Sequence, residues 1–226
     1  MKCCEIMNKA AILAIFLVVV SINMSSVSAW DWISHEEIVE SNYYSLSPDM
    51  QHNLNLDLMK KGSMTPDFVF FDFKYHSYPN SYGKAVYWLN EGKFYYKNGD
   101  FYYASYCYGV ASHYITDSFS APHAAGVTGL QHIIYEAKAS FLKPKVVEVT
   151  GSLNSTMHNG DLNGAKSWNI WIKNKNDSLI QNDLDHATGA SYNAISDSLN
   201  NAYPIKKNKS ENNAKLGLLI PLLNLI

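Results

Sequence analysis

The sequence contains no arginine: all 18 of its basic residues are lysine. A site that handles phosphate here therefore works without the planar, two-pronged guanidinium clamp, and a bound metal would have to supply the concentrated positive charge. Cysteine is almost as scarce. Cys3 and Cys4 stand at the start of the chain and only Cys107 follows, so the chain beyond the leader has no partner for an internal disulfide. Neither charge is in excess. The 18 lysines face 20 acidic residues, a formal net charge of −2, which argues against general affinity for nucleic acid. No apolar run reaches the roughly 20 residues that a membrane-spanning helix needs. Strand-like alternation is nearly missing too, with "KVVEV" at 145–149 as the one short candidate.

The leader itself is legible. Lys2 and Lys9 precede the apolar run "AAILAIFLVVV", a polar segment follows, and Val27 and Ala29 occupy the small-residue positions of a cleavage site. Residues 1–29 read as a signal peptide, which makes the protein secreted or extracellular, with Trp30 as the first residue after cleavage. A retained anchor is the competing reading of the same run. What remains is long enough for one domain with a proper core. Residues 30–204 form that domain, and 205–226 carry a polar, lysine-rich segment ending in "LGLLIPLLNLI". This tail packs on the core or touches lipid peripherally.

Helix signals fill the domain. "SHEE" offers Ser34 as a cap with Glu37 three residues on. "SPDMQHNLNLDLMKKG" begins at Ser47 and Pro48 and stops at Gly62, and the aromatic, proline-bearing 63–79 reads as a loop. Further helices run from about Tyr82 to Gly92, from about Asp100 to Phe119 and from about Leu130, with two more in "NGDLNGAKSWNIWIKN" and "DLDHATGASYNAISDSLNNAY". The fold class is all-α, a single multi-helix domain, expected as a monomer.

Chemistry concentrates in "ASHYITDSFSAPHAAG", residues 111–126. Positions i and i+4 share a helix face, so His113 and Asp117 form a nitrogen–carboxylate pair, and His132 and Glu136 form another. His123, after Pro122, reaches from the connection between the two helices. One such pair is what a surface ion pair or a satisfied core histidine looks like. Two pairs on consecutive helices with a histidine between them point to metal. Gly109 and Ser105, one and two turns before His113, leave room for another helix or a ligand.

"HYITDSFSAPHAAGVT" resembles the zinc-dependent phospholipase C family, as do the downstream His132–Glu136 pair and the preceding "GDFYYASYCYGVASHY". Members of that family begin, once mature, at a Trp whose free amine binds zinc, and cleavage before Trp30 creates such a terminus. An α-amino group has a pKa of about 7.7–8.0, so it becomes a neutral donor near neutral pH. The resemblance implies three zinc ions. The first takes the Trp30 amine and carbonyl, His35 and a bridging Asp117; the second takes Asp67, His76, His113 and the same Asp117; the third takes His123, His132 and Glu136. It also implies Asp67 as catalytic base, and Phe68 and Phe73 as one side of a head-group pocket, although these rings suit plain loop packing equally. His52, His158 and His186 fall outside the pattern.

The expected activity is phospholipase C cleavage of a phospholipid, or other membrane-surface substrate, with no stable nucleic-acid partner. Two alternatives use the same residues. A secreted single-strand nuclease or nucleotidase fits the short interval from Trp30 to His35, and a non-catalytic zinc-stabilised surface domain would use the ions only to hold the helices.

Overall fold

The structure is a computed structural model and describes residues 30–202; the leader 1–29 and the tail 205–226 lie outside the described residues. Nine α-helices make up the described fold: α1 Trp32–Ser45, α2 Pro48–His52, α3 Leu56–Thr65, α4 Asn80–Lys97, α5 Phe101–Asp117, α6 Ala121–Ala124, α7 Leu130–Ala139, α8 Leu153–Asn174 and α9 Asp177–Asn200. Between α3 and α4 stand a π-turn, Pro66–Phe70, and a 3-10 turn, Phe73–Tyr75. The described residues contain no strand, and none of their helices is long and apolar enough to cross a membrane.

The helix α5 is the axis. Asp100 caps its first turn, accepting from the Tyr103 amide at 3.0 Å. From Ala104 to Asp117 it is buried at nearly every position, as an element apolar on all sides must be. It lies between α3 and α4 and against α9. Its approach to α3 is set by two glycines. A Cβ on Gly109 would stand 2.0 Å from the Met59 carbonyl oxygen, and one on Gly62 would stand 2.2 Å from the Tyr106 oxygen. The space beside Gly109 is thus filled by another helix.

Three expected boundaries move. The cap of α1 is Asp31, whose carboxylate accepts from the Ser34 amide at 2.9 Å; Ser34 sits inside the helix because the charged acceptor precedes it. Gly62 does not stop α3, which runs on to Thr65 and into the π-turn. Nor does Gly92 end α4: its missing Cβ makes room for the Tyr108 ring, 2.8 Å away. "KVVEV" is not a strand. Its backbone is bound by α9 side chains instead, with Lys145 N donating to Asp185 Oδ1 at 2.9 Å and Asn193 Nδ2 donating to the Val149 oxygen at 2.5 Å.

Behind the end of α5, Trp30, Tyr135, Trp168 and Trp171 pack with Ile38, Ile180 and Leu184 into one apolar cluster. Fully burying one side chain of this size stabilises the fold by about 1.5–3 kcal/mol. Asp183 is buried against this cluster and accepts from Tyr135 Oη at 2.7 Å and Ser167 Oγ at 3.0 Å. Burial pushes its carboxyl up to about 7, against the pull of those donors.

Two outcomes follow. Gly109→Ala forces backbone apart at the α3–α5 crossing and is expected to destabilise by about 3 kcal/mol, read from the denaturant midpoint. For Asp183 the folded pKa lies above the unfolded value of about 3.9. Its contribution is therefore full below about pH 4 and lost as pH rises through about 7. Replacing it with Asn should make unfolding stability flatter with pH across that window, as measured by denaturation from pH 4 to 8.

Candidate metal centre

The last turn of α5 presents His113 and Asp117 on one face, both fully buried. The first turn of α1 brings His35 to one side: its Nε2 is 3.2 Å from Asp117 Oδ1, and its ring stacks on His113 with centroids 4.1 Å apart. The turns between α3 and α4 bring Asp67 and His76 to the other side. His76 Nδ1 is 3.4 Å from Asp117 Oδ2, His76 Nε2 is 3.4 Å from Asp67 Oδ1, and His113 Nε2 is 3.1 Å from Asp117 Oδ2 and 3.8 Å from Asp67 Oδ1. Two ligand groups overlap here, His35–His113–Asp117 and Asp67–His76–His113. His113 thus reaches both groups, where the family resemblance implies it in one.

The third group is His123, His132 and Glu136. His123 comes from α6, a single turn opened by Pro122, and the other two share a face of α7. His123 Nε2 lies 3.5 Å from Glu136 Oε1, and His132 Nε2 contacts the same oxygen. The groups are not isolated from one another. His113 meets His76 at 4.9 Å between ring centroids, His76 meets His123 at 6.1 Å, and His123 meets His132 at 4.8 Å. Five imidazoles therefore form one continuous cluster with three carboxylates.

Backbone carbonyls fix the ring orientations. A carbonyl only accepts, so His113 Nδ1 must donate to the Ser63 oxygen at 2.7 Å, and His132 Nδ1 to the Val127 oxygen at 2.8 Å. In each ring Nε2 is then turned inward, which is how outer hydrogen bonds prepare a histidine for metal. His35 Nε2, both nitrogens of His76, His113 Nε2 and both oxygens of Asp117 are buried without hydrogen-bond partners. Leaving six such atoms dry would cost about 1–3 kcal/mol each. Cations held in the two overlapping groups would satisfy most of them, one nitrogen from each ring, and the mixed nitrogen and oxygen donors suit zinc.

Electrostatics gives the same answer. Burial opposes charge on His113, yet the Asp117 carboxylate outweighs it and holds the ring up to about 9. Asp117 sits well below the carboxylate range despite its burial, because His113, His76 and His35 surround it. Burial lowers His76 and pushes Glu136 up to about 8. In the metal-free protein the cluster thus retains protons that a bound ion would displace.

Trp30 is fully buried, and its indole Nε1 donates to the Thr116 oxygen at 3.0 Å. That bond ties residue 30 to the turn carrying Asp117. Phe73 lies edge-on to His76 at 5.7 Å, and Phe68, directly after Asp67, is largely exposed. Phe73 therefore borders the cluster, and Phe68 is placed by its exposure alone. His158 stacks on Tyr78, and His186 bonds the Asn182 oxygen; neither belongs to a ligand group, and nor does His52. Asp72 escaped the sequence reading: it accepts from Tyr114 Oη at 2.7 Å and pairs with Lys84 at 2.9 Å. It thereby clamps the π-turn to α5 and α4. Four residues after the aromatic run begins at Phe68, it carries no pattern that would have singled it out.

An all-helical fold with histidine and carboxylate groups gathered at the end of its central helix defines a candidate metalloprotein whose donors suit zinc. Residues 34–201 match the family model of zinc dependent phospholipase C, and the chain belongs to that family. Phospholipase C-like hydrolysis and zinc dependence come with that membership. No curated protein and no solved structure matches the chain.

Asp117→Ala is expected to strip zinc from the two overlapping groups and lower the melting temperature by ~10 °C or more. Glu136→Gln should disturb only the third group. Metal analysis of the purified proteins beside thermal unfolding checks both.

Proposed function

We propose that the chain is a secreted phospholipase C that cleaves membrane phospholipid at the glycerol–phosphate bond, releasing diacylglycerol and the phosphorylated head group. It acts as a monomer with three zinc ions, one for each ligand group. The observation that carries this reading is the Asp117 carboxylate, buried with both oxygens among three inward-turned imidazoles, in a chain of this family. The leader at 1–29 supports export, and the net charge of −2 speaks against a nucleic-acid partner.

His35, Asp117 and the amine and carbonyl of Trp30 would hold the first ion; Asp67, His76, His113 and Asp117 the second; His123, His132 and Glu136 the third. The proposed role of Trp30 is supported by the indole bond that ties it beside Asp117. Bound zinc supplies a water of lowered pKa and positive charge facing the phosphate oxygens. The Asp67 carboxylate would orient the attacking water and take its proton as the water oxygen bonds to phosphorus. The phosphorus–oxygen bond to glycerol would break, and the proton held on Asp67 would pass to the leaving alkoxide to give the diacylglycerol hydroxyl. Phe73, set against His76, and Phe68, next to Asp67, flank the head group, where a quaternary ammonium would meet ring faces. With no arginine in the chain, the ions carry most of the charge stabilisation.

The test pairs substrates and variants. The zinc-loaded protein beginning at Trp30 should hydrolyse phosphatidylcholine and leave single-stranded DNA intact; the reverse result ends the lipid reading, and inertness on both favours a purely structural role for the metal. Asp67→Asn should lower kcat by about 10²–10⁴, with the third ligand group, which lacks Asp67, still loaded with zinc by metal analysis. A protein carrying one extra residue before Trp30 should bind less zinc, as read by metal analysis and mass spectrometry.

A further inference from the structure

The segment after Asp67 does something a loop has no need to do. Phe68, Val69, Phe70 and Phe71 follow one another at 58%, 46%, 37% and 66% exposure. The chain turns there through the π-turn, and Phe71 ends it in the left-handed conformation, φ 50° and ψ 36°, which a bulky side chain avoids. A fold that places phenylalanine at such a position, rather than glycine, is holding that ring out into solvent.

The exposed rings are also joined to the metal cluster. Buried His76 meets Phe73 edge-on, and Phe73 meets Phe71 at 6.4 Å. On the other side Phe70 stacks flat on Trp88 of α4 at 5.7 Å, and Trp88 meets Tyr87, itself 54% exposed, at 5.3 Å. The patch carries little charge, and the one carboxylate there is matched by Lys84. Lys74 lies over the Tyr75 ring, Lys84 lies over the same ring, and Lys84 also pairs with Asp72. An exposed apolar patch of this kind marks an interaction surface. Its continuity with the site, and its preponderance of rings over charges, select the partner.

We propose that the aromatic knuckle Val69–Phe70–Phe71, with Tyr87 beside it, docks the enzyme on a neutral, zwitterionic phospholipid surface and brings the metal cluster to the head groups. The proposal rests on the lipid reading of the substrate. Aromatic side chains of this kind settle at the level of the head groups, so docking is driven by ring insertion and needs no anionic lipid.

The experiment uses the full zinc-loaded protein and the double variant Val69→Ser/Phe71→Asn; asparagine tolerates the left-handed backbone, and circular dichroism confirms folding. Co-sedimentation with phosphatidylcholine vesicles and hydrolysis of those vesicles should both fall about tenfold or more in the variant. Hydrolysis of monomeric short-chain phosphatidylcholine should stay within about twofold. Tyr87→Gln should weaken vesicle binding in the same direction. Undiminished vesicle binding by the double variant overturns the proposal. So does wild-type binding that requires anionic lipid and is reversed by salt, or a wild-type dimer that the variant dissolves. If the wild type hydrolyses neither lipid form yet binds vesicles, and the variant does not, the docking surface stands and the substrate reading falls.

Discussion

The architecture depends on one buried anion. Asp117 ends α5 with both carboxylate oxygens out of contact with water and with no hydrogen-bond donor to satisfy them. A charge in that position costs several kcal/mol unless opposite charge surrounds it. Three imidazoles from three separate parts of the chain face it within 3.1–3.4 Å. Each is placed by a different device: His35 by the first turn of α1, His113 by the Ser63 carbonyl, His76 by the turns between α3 and α4. The site therefore binds α1, α5 and the intervening turns into one object, and a divalent ion would complete a balance that protons hold only in part.

The rest of the fold serves that balance. The glycines at 62 and 109 let α3 approach α5 backbone to backbone, and this distance lets the Ser63 carbonyl reach His113. Asn42, Ser191 and Ser112 form a buried hydrogen-bonded link among α1, α9 and α5 at 2.9 and 2.8 Å. The cluster of Trp30, Tyr135, Trp168 and Trp171 backs the site from the other side, where α7 supplies Glu136. Apolar burial provides the rigidity and polar links provide the register.

What could be read in the sequence was what lies within one helix. His113–Asp117 and His132–Glu136 are legible because helical geometry fixes their neighbourhood whatever the fold, and His123 was legible from Pro122 and its place between them. His35, Asp67 and His76 are not legible in this way, since nothing local says that α1 and the 66–76 turns converge on the end of α5; only likeness to a family suggested them. Two of the misread boundaries have one cause. Gly62 and Gly92 were read as helix stops, yet each is a packing glycine inside a helix, and sequence alone does not separate a missing Cβ that frees φ from one that admits a neighbour. "KVVEV" has strand propensity but no strand beside it, so its backbone turns to α9 side chains for partners.

The absence of arginine and the surplus of exposed aromatic rings now belong to one explanation. A phosphodiesterase that recognised its substrate by charge would gather cations at the mouth of its site. This chain keeps Lys74 and Lys84 occupied with Tyr75 and Asp72. It places uncharged rings there instead, from Phe73 against His76 outward to Phe71 and Tyr87. Positive charge facing the phosphate would then come from ions held in the buried cluster, where low dielectric makes it strongest, and the rim is left largely to the hydrophobic effect. A substrate held in a bilayer offers both handles, an apolar surface for the rim and a phosphate for the interior.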